Sequence, residues 1–464
     1  TLPLVALGGD GVISVVANAA PGPVAEMGRA ALAENLDLAE AVARVDEARA
    51  RLGIATSGLF PTLNGAANAA RNEQPANAGI VGGLFGGGQD SLPGDSIMPP
   101  DAQPERPDRF AFTDYTASLT LSYEIDLWGR IRRDRAAALN DLIATEDDFR
   151  GVRIAVISET VRAYNEVLDL ARRVELTEEV VSLLTDRDEI AETRYAQGLV
   201  SSFELYQLRG DLRAAATTLP QLEAQLADAR RRLDLLTGGL PGATADLVAA
   251  AAPPDAALDV PAPPPGIPAD VLVQRPDVRA AARRLEATRL RVGARKAELL
   301  PSITLSSTLG LQANQAENLF DLGQWFNNLA AGLTAPLFQG GRLRANLAVS
   351  EAQYAQQVAA YTRAVLTAIG EVEATLRQYE AQRERFETVI AQLAEAEASL
   401  SVQTDRYTGG VGGYTDYLDA LRNVLGVRSN AATARRDLAL ARLAVHRALG
   451  GSWVADEPST TDGP

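Results

Sequence analysis

Two kinds of hydrophobic pattern run along this 464-residue chain. In residues 115–125, apolar and hydroxyl-bearing positions alternate one by one, which is typical of a strand with one apolar face. Residues 303–312 alternate in the same way, and residues 329–337 do so more weakly. In residues 131–196, apolar positions recur every three or four residues, without proline and with one glycine. That stretch predicts a helix of roughly 100 Å, packed as in a coiled coil.

The pattern occurs twice, each time as helix, strand, loop, strand, long helix, turn and helix. Three pairs of similar segments share an offset of 212 residues: 194–198 with 406–410, 129–130 with 341–342, and 238–239 with 450–451. Upstream, residues 59–62 match residues 299–302 at an offset of 240. The two offsets, 240 and 212, differ by 28, so the first repeat contains 28 additional residues. We expect them in a surface loop within the Gly- and Pro-rich stretch 72–108.

The duplication divides the chain into five parts. We expect an atypical N-terminal segment at 1–34, a first copy at 35–239, a Pro- and Ala-rich linker at 240–270, a second copy at 271–452 and a disordered tail at 453–464.

Composition narrows the class of function. The chain has 60 acidic and 44 basic residues, and a net charge of −16 argues against a nucleic-acid partner. It has no cysteine and one histidine, which removes thiol nucleophiles, cysteine-ligated metals and most histidine-based catalysis. The composition therefore predicts a protein that is not an enzyme and has neither a cofactor nor a metal site.

Four strands of about ten residues are long enough to cross a bilayer at a tilt. They are too few to close a barrel, which needs about eight, so further copies of the chain would have to satisfy the open edges. Two copies would give eight strands and three would give twelve. A soluble β-hairpin cap on a helical bundle fits the same pattern, and the pattern alone leaves both open.

Several motifs resemble those of one family, the TolC-like outer membrane factors of tripartite efflux pumps. Residues 122–130, SYEIDLWGR, are similar to the family's strand-to-helix junction. Residues 274–281, 300–302 and 336–341 resemble further motifs of that family, and all lie in the same order.

The resemblance implies a mainly α-helical protein with a membrane β-barrel portion. Three copies would form a twelve-stranded barrel in the outer membrane of a Gram-negative bacterium, continued by a helical tunnel in the periplasm. Such a channel passively exports drugs or other small molecules that an inner-membrane transporter delivers through a periplasmic adaptor, the membrane fusion protein. The alternative is a non-transporting periplasmic interaction protein on the same scaffold.

Carried over by motif, Asp416 and Asp419 correspond to carboxylates that ring the periplasmic aperture. The alternative is that both are ordinary acids at a helix start, favoured by the helix dipole. Tyr407 corresponds to a tyrosine that locks the aperture, with Glu204 as its acceptor. The alternative there is that Tyr195 and Tyr407 fill equivalent positions between helices.

Two further sets of residues are assigned by the resemblance. The tips that contact the adaptor correspond to Gly198, Leu199, Gly410 and Val411. Tyr123 and Trp128 correspond to aromatic residues at the boundary of the outer-membrane lipid, although either side chain also suits a protein core.

Residues 7–18 resemble part of a different family, the dihydrodipicolinate synthases. About 250 residues are needed for the (β/α)₈ barrel of such a lyase. The only lysine, Lys296, lies in the channel-like part. We therefore expect residues 1–34 to be a fusion; a genuine but unfamiliar N-terminus, with 12–16 as an additional strand, is the alternative.

Overall fold

The computed structural model describes residues 23–75, 109–249 and 274–451. The helices are α1 Pro23–Glu34, α2 Leu36–Ser57, α3 Arg130–Ala196, α4 Ser202–Leu236, α5 Ala245–Ala249, α6 Pro276–Ala297, α7 Arg342–Thr408 and α8 Tyr414–Ala448. The strands are β1 Thr62–Pro75, β2 Arg109–Ile125, β3 Ser302–Ala313 and β4 Trp325–Thr334.

The helix boundaries confirm the duplication. Helices α3 and α7 each have 67 residues, and α4 and α8 each have 35. Both pairs begin and end 212 residues apart, which is the offset found in the sequence. Helices α2 and α6 have 22 residues each and are related by the second offset, 240. The long helix predicted at 131–196 is also confirmed.

The boundaries of three strands differ from the prediction. Strand β2 begins at Arg109 and not at residue 115. Strand β1 continues to Pro75, because residues 72–75 pair with the first residues of β2, so the predicted loop begins after Pro75. The fourth strand is β4 and not 329–337. Pro336 has no N–H to donate to a ladder, and Trp325 already pairs with Leu311 of β3. Residues 76–108 lie outside the described part of the chain.

The structure divides into two compact units, each built from both copies. The first unit is helical. It comprises the residues up to Ala50, Asn140–Glu286 and the residues from Ala355 onward. Its largest core cluster joins α3 and α4, and Met27 of α1 is fully buried in that cluster. Helix α1, which lies inside the segment expected to be atypical at 1–34, is therefore part of the core. Residues 1–22, including the synthase-like stretch, are not among those described.

The first residues of the linker expected at 240–270 form a turn and the short helix α5. The buried carboxylate of Asp234 accepts hydrogen bonds from the backbone N–H groups of Gly242 and Thr244 and from the Thr244 hydroxyl, at 2.6–2.9 Å. Burial opposes ionisation, but these three bonds lower the pKa of Asp234 below its ordinary value. The segment between α4 and α5 is thus a fixed turn, while residues 250–273 and 452–464 lie outside the described ranges.

The second unit comprises Arg51–Leu139 and Ala287–Tyr354 and contains the sheet. The four strands are antiparallel in the order β1-β2-β3-β4. Sequence neighbours are therefore spatial neighbours throughout. Within the described chain, β1 and β4 each pair on one side only, which leaves a hydrogen-bonding edge at both ends of the sheet.

Candidate functional site: the two-faced sheet and the helix tips

One face of the sheet is apolar and exposed. The register places the odd-numbered residues of each strand on this face, because directly paired residues share a side. Its large exposed side chains are Leu63, Leu119, Leu121, Leu305, Leu309, Trp325, Leu329 and Leu333. Leu329 is 82% exposed. A soluble monomer rarely exposes so large a contiguous apolar patch, which marks this face as a surface for lipid or protein.

The opposite face is mostly polar, although Phe112 and Phe326 also lie on it. It carries the hydroxyl and amide residues of the alternating pattern, among them Thr120 and Thr308, whose hydroxyls are 3.1 Å apart across β2 and β3. Other members are Asn64, Asn68, Ser118, Ser122, Ser306, Gln312 and Asn328. The sheet therefore separates a water-compatible side from an apolar side, as the wall of a water-filled barrel does.

The junction motif at 122–130 holds the end of β2 against the start of α3. The Asp126 carboxylate accepts hydrogen bonds from the backbone N–H groups of Ile131 and Arg132, at 3.2 and 2.9 Å. Burial works against its charge, but these bonds lower the pKa of Asp126. Arg130 pairs with Glu124 at 2.7 Å, so the motif fixes the angle at which the strand becomes a helix.

The two predicted boundary aromatics lie at this end of the sheet. Tyr123 is half-buried and belongs to the apolar face of β2. Trp128 is 42% exposed, and its Nε1 donates a 2.6 Å hydrogen bond to the carbonyl of Pro301. Two further aromatics, Tyr115 and Trp325, occupy the apolar face at the loop end, and sequence analysis did not single them out.

The turns after the two long helices have the same geometry. Gly198 and Gly410 adopt φ of +72° and +74°, a conformation that glycine adopts without strain. The next residues, Leu199 and Val411, donate backbone hydrogen bonds back to Arg194 and Arg406. Their side chains are 71% and 75% exposed, so each turn presents an apolar residue to its surroundings.

Three tyrosines pack together beside the second turn. The ring of Tyr407 lies 5.4 Å from that of Tyr414 and 5.6 Å from that of Tyr417. The guanidinium of Arg187, on α3, lies 5.4 Å from the centroid of the Tyr417 ring. This tyrosine cluster joins helices of the first and second repeats of one chain. Of its members, only Tyr407 was predicted from the sequence.

The structure gives Tyr407 a different partner from the predicted one. Nη1 of Arg194 donates a 2.8 Å hydrogen bond to the Tyr407 hydroxyl. Among the described residues no hydrogen bond joins Tyr407 to Glu204, whose backbone N–H is capped by the Ser201 hydroxyl at 3.3 Å. Tyr195 is 46% exposed, so it is not the equivalent of half-buried Tyr407. Among the described residues the Tyr407 hydroxyl thus accepts from Arg194, and its own proton is not donated to Glu204.

Asp416 and Asp419 lie in the first turns of α8, where both are exposed. The Asp419 carboxylate accepts a hydrogen bond of 3.0 Å from Arg422, three residues later. Arg422 also forms an ion pair with Asp211 of α4. Arg422 therefore offsets part of the charge that the sequence analysis assigned to this position.

Tyr414 is the member of the cluster whose hydroxyl group is unsatisfied. Its hydroxyl is buried without a hydrogen-bond partner, and burial raises its pKa to about 12. Replacing Tyr414 with Phe removes an unpaired polar group, so we expect a stabilisation of about 1 kcal/mol. The matched Tyr407→Phe loses the bond to Arg194 and should cost about the same.

Thermal unfolding of the detergent-solubilised protein distinguishes the two variants. The midpoint should rise for Tyr414→Phe and fall for Tyr407→Phe. The folded protein keeps the Tyr414 proton above pH 10, where an unfolded tyrosine releases it, so wild-type stability should fall between pH 10 and 12. Tyr414→Phe should lack that part of the loss. A lower midpoint for Tyr414→Phe would contradict the unpaired hydroxyl.

The described residues contain neither a candidate metal site nor a candidate membrane-spanning helix. No group of three or more His, Cys, Asp or Glu side chains there is placed to hold a metal ion. No helix among the described residues has the length and hydropathy needed to cross a membrane.

Comparison with known proteins identifies the family. The model of the outer membrane efflux protein family matches residues 28–239 and 267–451. The pyoverdine export outer membrane protein OpmQ of Pseudomonas putida is 30% identical over 91% of this chain and 84% of its own. The outer membrane protein OprJ of Pseudomonas aeruginosa is also 30% identical, over 91% and 83%.

Solved structures agree with the sequence matches. The open state of the MtrE outer membrane channel of Neisseria gonorrhoeae superposes with a TM-score of 0.76 and 25% identity, covering 92% of this chain and 88% of that one. All three proteins are named as outer membrane components or channels, none as an enzyme. The chain therefore belongs to the outer membrane efflux protein family, and it is an outer-membrane efflux channel, as the resemblance implied.

Proposed function

We propose that three copies of this chain close a twelve-stranded barrel through which small molecules leave the cell. The observation that carries this proposal is the register of the sheet, with an exposed apolar face, a polar face and two open edges. Open edges are not tolerated in lipid, so β4 of one subunit would pair with β1 of the next subunit. The exposed apolar face argues against the non-transporting periplasmic alternative.

The aromatic residues of the apolar face fit the thickness of an outer membrane. Tyr115 and Tyr123 are eight residues apart on β2, about 27 Å along a strand. At the tilt of barrel strands this distance covers most of the ~25 Å apolar band, whose two boundaries are rich in aromatics. Tyr123 and Trp128 would mark the periplasmic boundary, and Tyr115 and Trp325 the outer one.

The helix tips are the proposed contact with a periplasmic adaptor, which links the channel to an inner-membrane transporter. Gly198 and Gly410 allow the tight turns, and Leu199 and Val411 supply exposed apolar contacts at both. OpmQ is named for pyoverdine export. The class of cargo here is accordingly proposed only as small molecules, drugs included, whose selection lies with the transporter.

Asp416 and Asp419 are the proposed aperture carboxylates. Threefold symmetry would bring six of them around one opening, and a ring of carboxylates favours cations over anions. The tyrosine cluster would hold this end closed, with Arg194 rather than Glu204 as the partner of Tyr407 in the same chain. Glu204 remains the proposed acceptor of a hydrogen bond from the Tyr407 hydroxyl.

Ion selectivity in planar bilayers tests the aperture. The double variant Asp416→Asn/Asp419→Asn should carry more anion current than wild type, which is seen as a shift of the reversal potential in a salt gradient. Asp228→Asn, which removes an exposed carboxylate of α4, is the control and should leave the potential unchanged. Unchanged selectivity in the double variant would show that these residues do not line the aperture.

A further inference from the structure

We propose that Asp114 is a selectivity-determining residue at the outer end of the barrel, where three copies form a second carboxylate ring that favours cationic over anionic solutes. This inference rests on the trimeric barrel proposed above. It concerns a different part of the molecule from the aperture, the polar face of the sheet near the loops.

The register places Asp114 on the polar face. It pairs with Ala70 of β1, and the next residue, Tyr115, pairs with Ala313, the last residue of β3. Asp114 therefore lies at the end of the sheet that is farthest from the strand-to-helix junctions. In the proposed barrel this end opens to the outside, and the polar face lines the lumen.

Two neutral groups hold the carboxylate in place. Nε2 of Gln312, on β3, donates a 2.8 Å hydrogen bond to Oδ1, and the Thr116 hydroxyl donates one of 3.0 Å to Oδ2. Gln312 and Thr116 are themselves a directly paired couple of the register. Amide and hydroxyl donors orient the carboxylate without cancelling its charge.

The register places no arginine or lysine on the polar face of the described strands, since Arg71 and Arg109 both fall at odd-numbered positions. The polar face has one other carboxylate, Glu124, which is paired with Arg130 at the opposite end. Arg71 and Glu73 alternate onto the apolar face and pair with each other at 3.4 Å. Each chain thus contributes one uncompensated negative charge, from Asp114, to the polar face described.

The expected effect is electrostatic and depends on salt. Three unit charges about 10 Å from the axis of a water-filled pore change the ratio of cation to anion on the order of tenfold at 0.01 M salt. The Debye length falls from about 30 Å at 0.01 M to about 3 Å at 1 M, so the effect should vanish at high salt.

The test uses planar bilayers and the Asp416→Asn/Asp419→Asn background, in which the aperture no longer dominates selectivity. At 0.01 M salt, adding Asp114→Asn should lower the ratio of cation to anion permeability on the order of tenfold, and Asp114→Arg should make the pore anion-selective. Asp321→Asn is the matched control, since Asp321 is exposed in the loop between β3 and β4. It should leave the ratio unchanged.

The outcomes separate this inference from the proposed function. If trimeric pores form and Asp114→Asn and Asp114→Arg have the ratio of their parent, Asp114 does not determine selectivity, and only this inference fails. If the parent forms neither trimers nor pores, the barrel itself is wrong. Native mass in detergent, measured for each variant, shows that a change in ratio comes from an assembled channel.

Discussion

Single cysteines at Ser118 and Leu119 are expected to react in opposite ways with a charged, membrane-impermeant thiol reagent. Ser118 lies on the polar face of β2 and Leu119 on the apolar face. In the assembled barrel, Ser118→Cys faces water and reacts, whereas Leu119→Cys faces lipid, where the reactive thiolate does not form. We expect rates in outer-membrane vesicles to differ by at least about tenfold for this reason.

The chain is well suited to this experiment because it has no cysteine of its own. Wild-type protein is therefore a background without labelling. Thr308→Cys and Leu309→Cys repeat the comparison on β3. These two positions pair with Thr120 and Leu119 of β2. Equal labelling of both faces on both strands would mean that water surrounds the whole sheet. That result would favour the alternative of a soluble β-hairpin cap on a helical bundle.

The second large effect is expected at the buried ion pair of Asp169 and Arg436, which joins α3 to α8. Nη1 of Arg436 donates a 2.8 Å hydrogen bond to Asp169, whose side chain is almost fully buried. Burial raises the pKa of Asp169, against the lowering effect of Arg436. Arg436→Met leaves the carboxylate unpaired and should destabilise the helices locally by about 3–5 kcal/mol.

Amide hydrogen exchange of α3 and α8 measures that loss. Asp169→Asn in the Arg436→Met background removes the buried charge and should recover much of the protection. Because the raised pKa belongs to the folded state, the penalty of Arg436→Met should grow as the pH rises through it and shrink in acid. Arg231→Met, which breaks an exposed pair with Asp228, should cost under about 1 kcal/mol. Equal exchange in the two arginine variants would contradict the buried pair.

Much of the fold could be predicted from the sequence because it is repetitive and regular. The offsets of 212 and 240 residues relate the helices of one copy to those of the other residue by residue. Strand alternation also predicted which residues share a face. The weakest alternation, at 329–337, gave the wrong boundaries, because the register with β3 and the missing N–H of Pro336 decide where β4 ends.

The helix tips were less predictable, because their contacts join residues far apart in the chain. Arg194 bonds to Tyr407 across 213 positions, and Arg422 of α8 pairs with Asp211 of α4. Neither periodicity nor family motifs identify which cation meets which acceptor across two helix pairs. Tyr407, Tyr414 and Tyr417 flank a single turn in the sequence, but only the first matched a family motif, and no aromatic cluster was predicted from them.

We have proposed that three copies of this chain assemble a channel in the outer membrane, and this assembly can be measured. Its most direct test is the native mass of the protein expressed behind an outer-membrane export signal and extracted from that membrane in mild detergent. We expect a protein mass of about three times 49.1 kDa in the outer-membrane fraction. A water-soluble monomer of 49.1 kDa would contradict it.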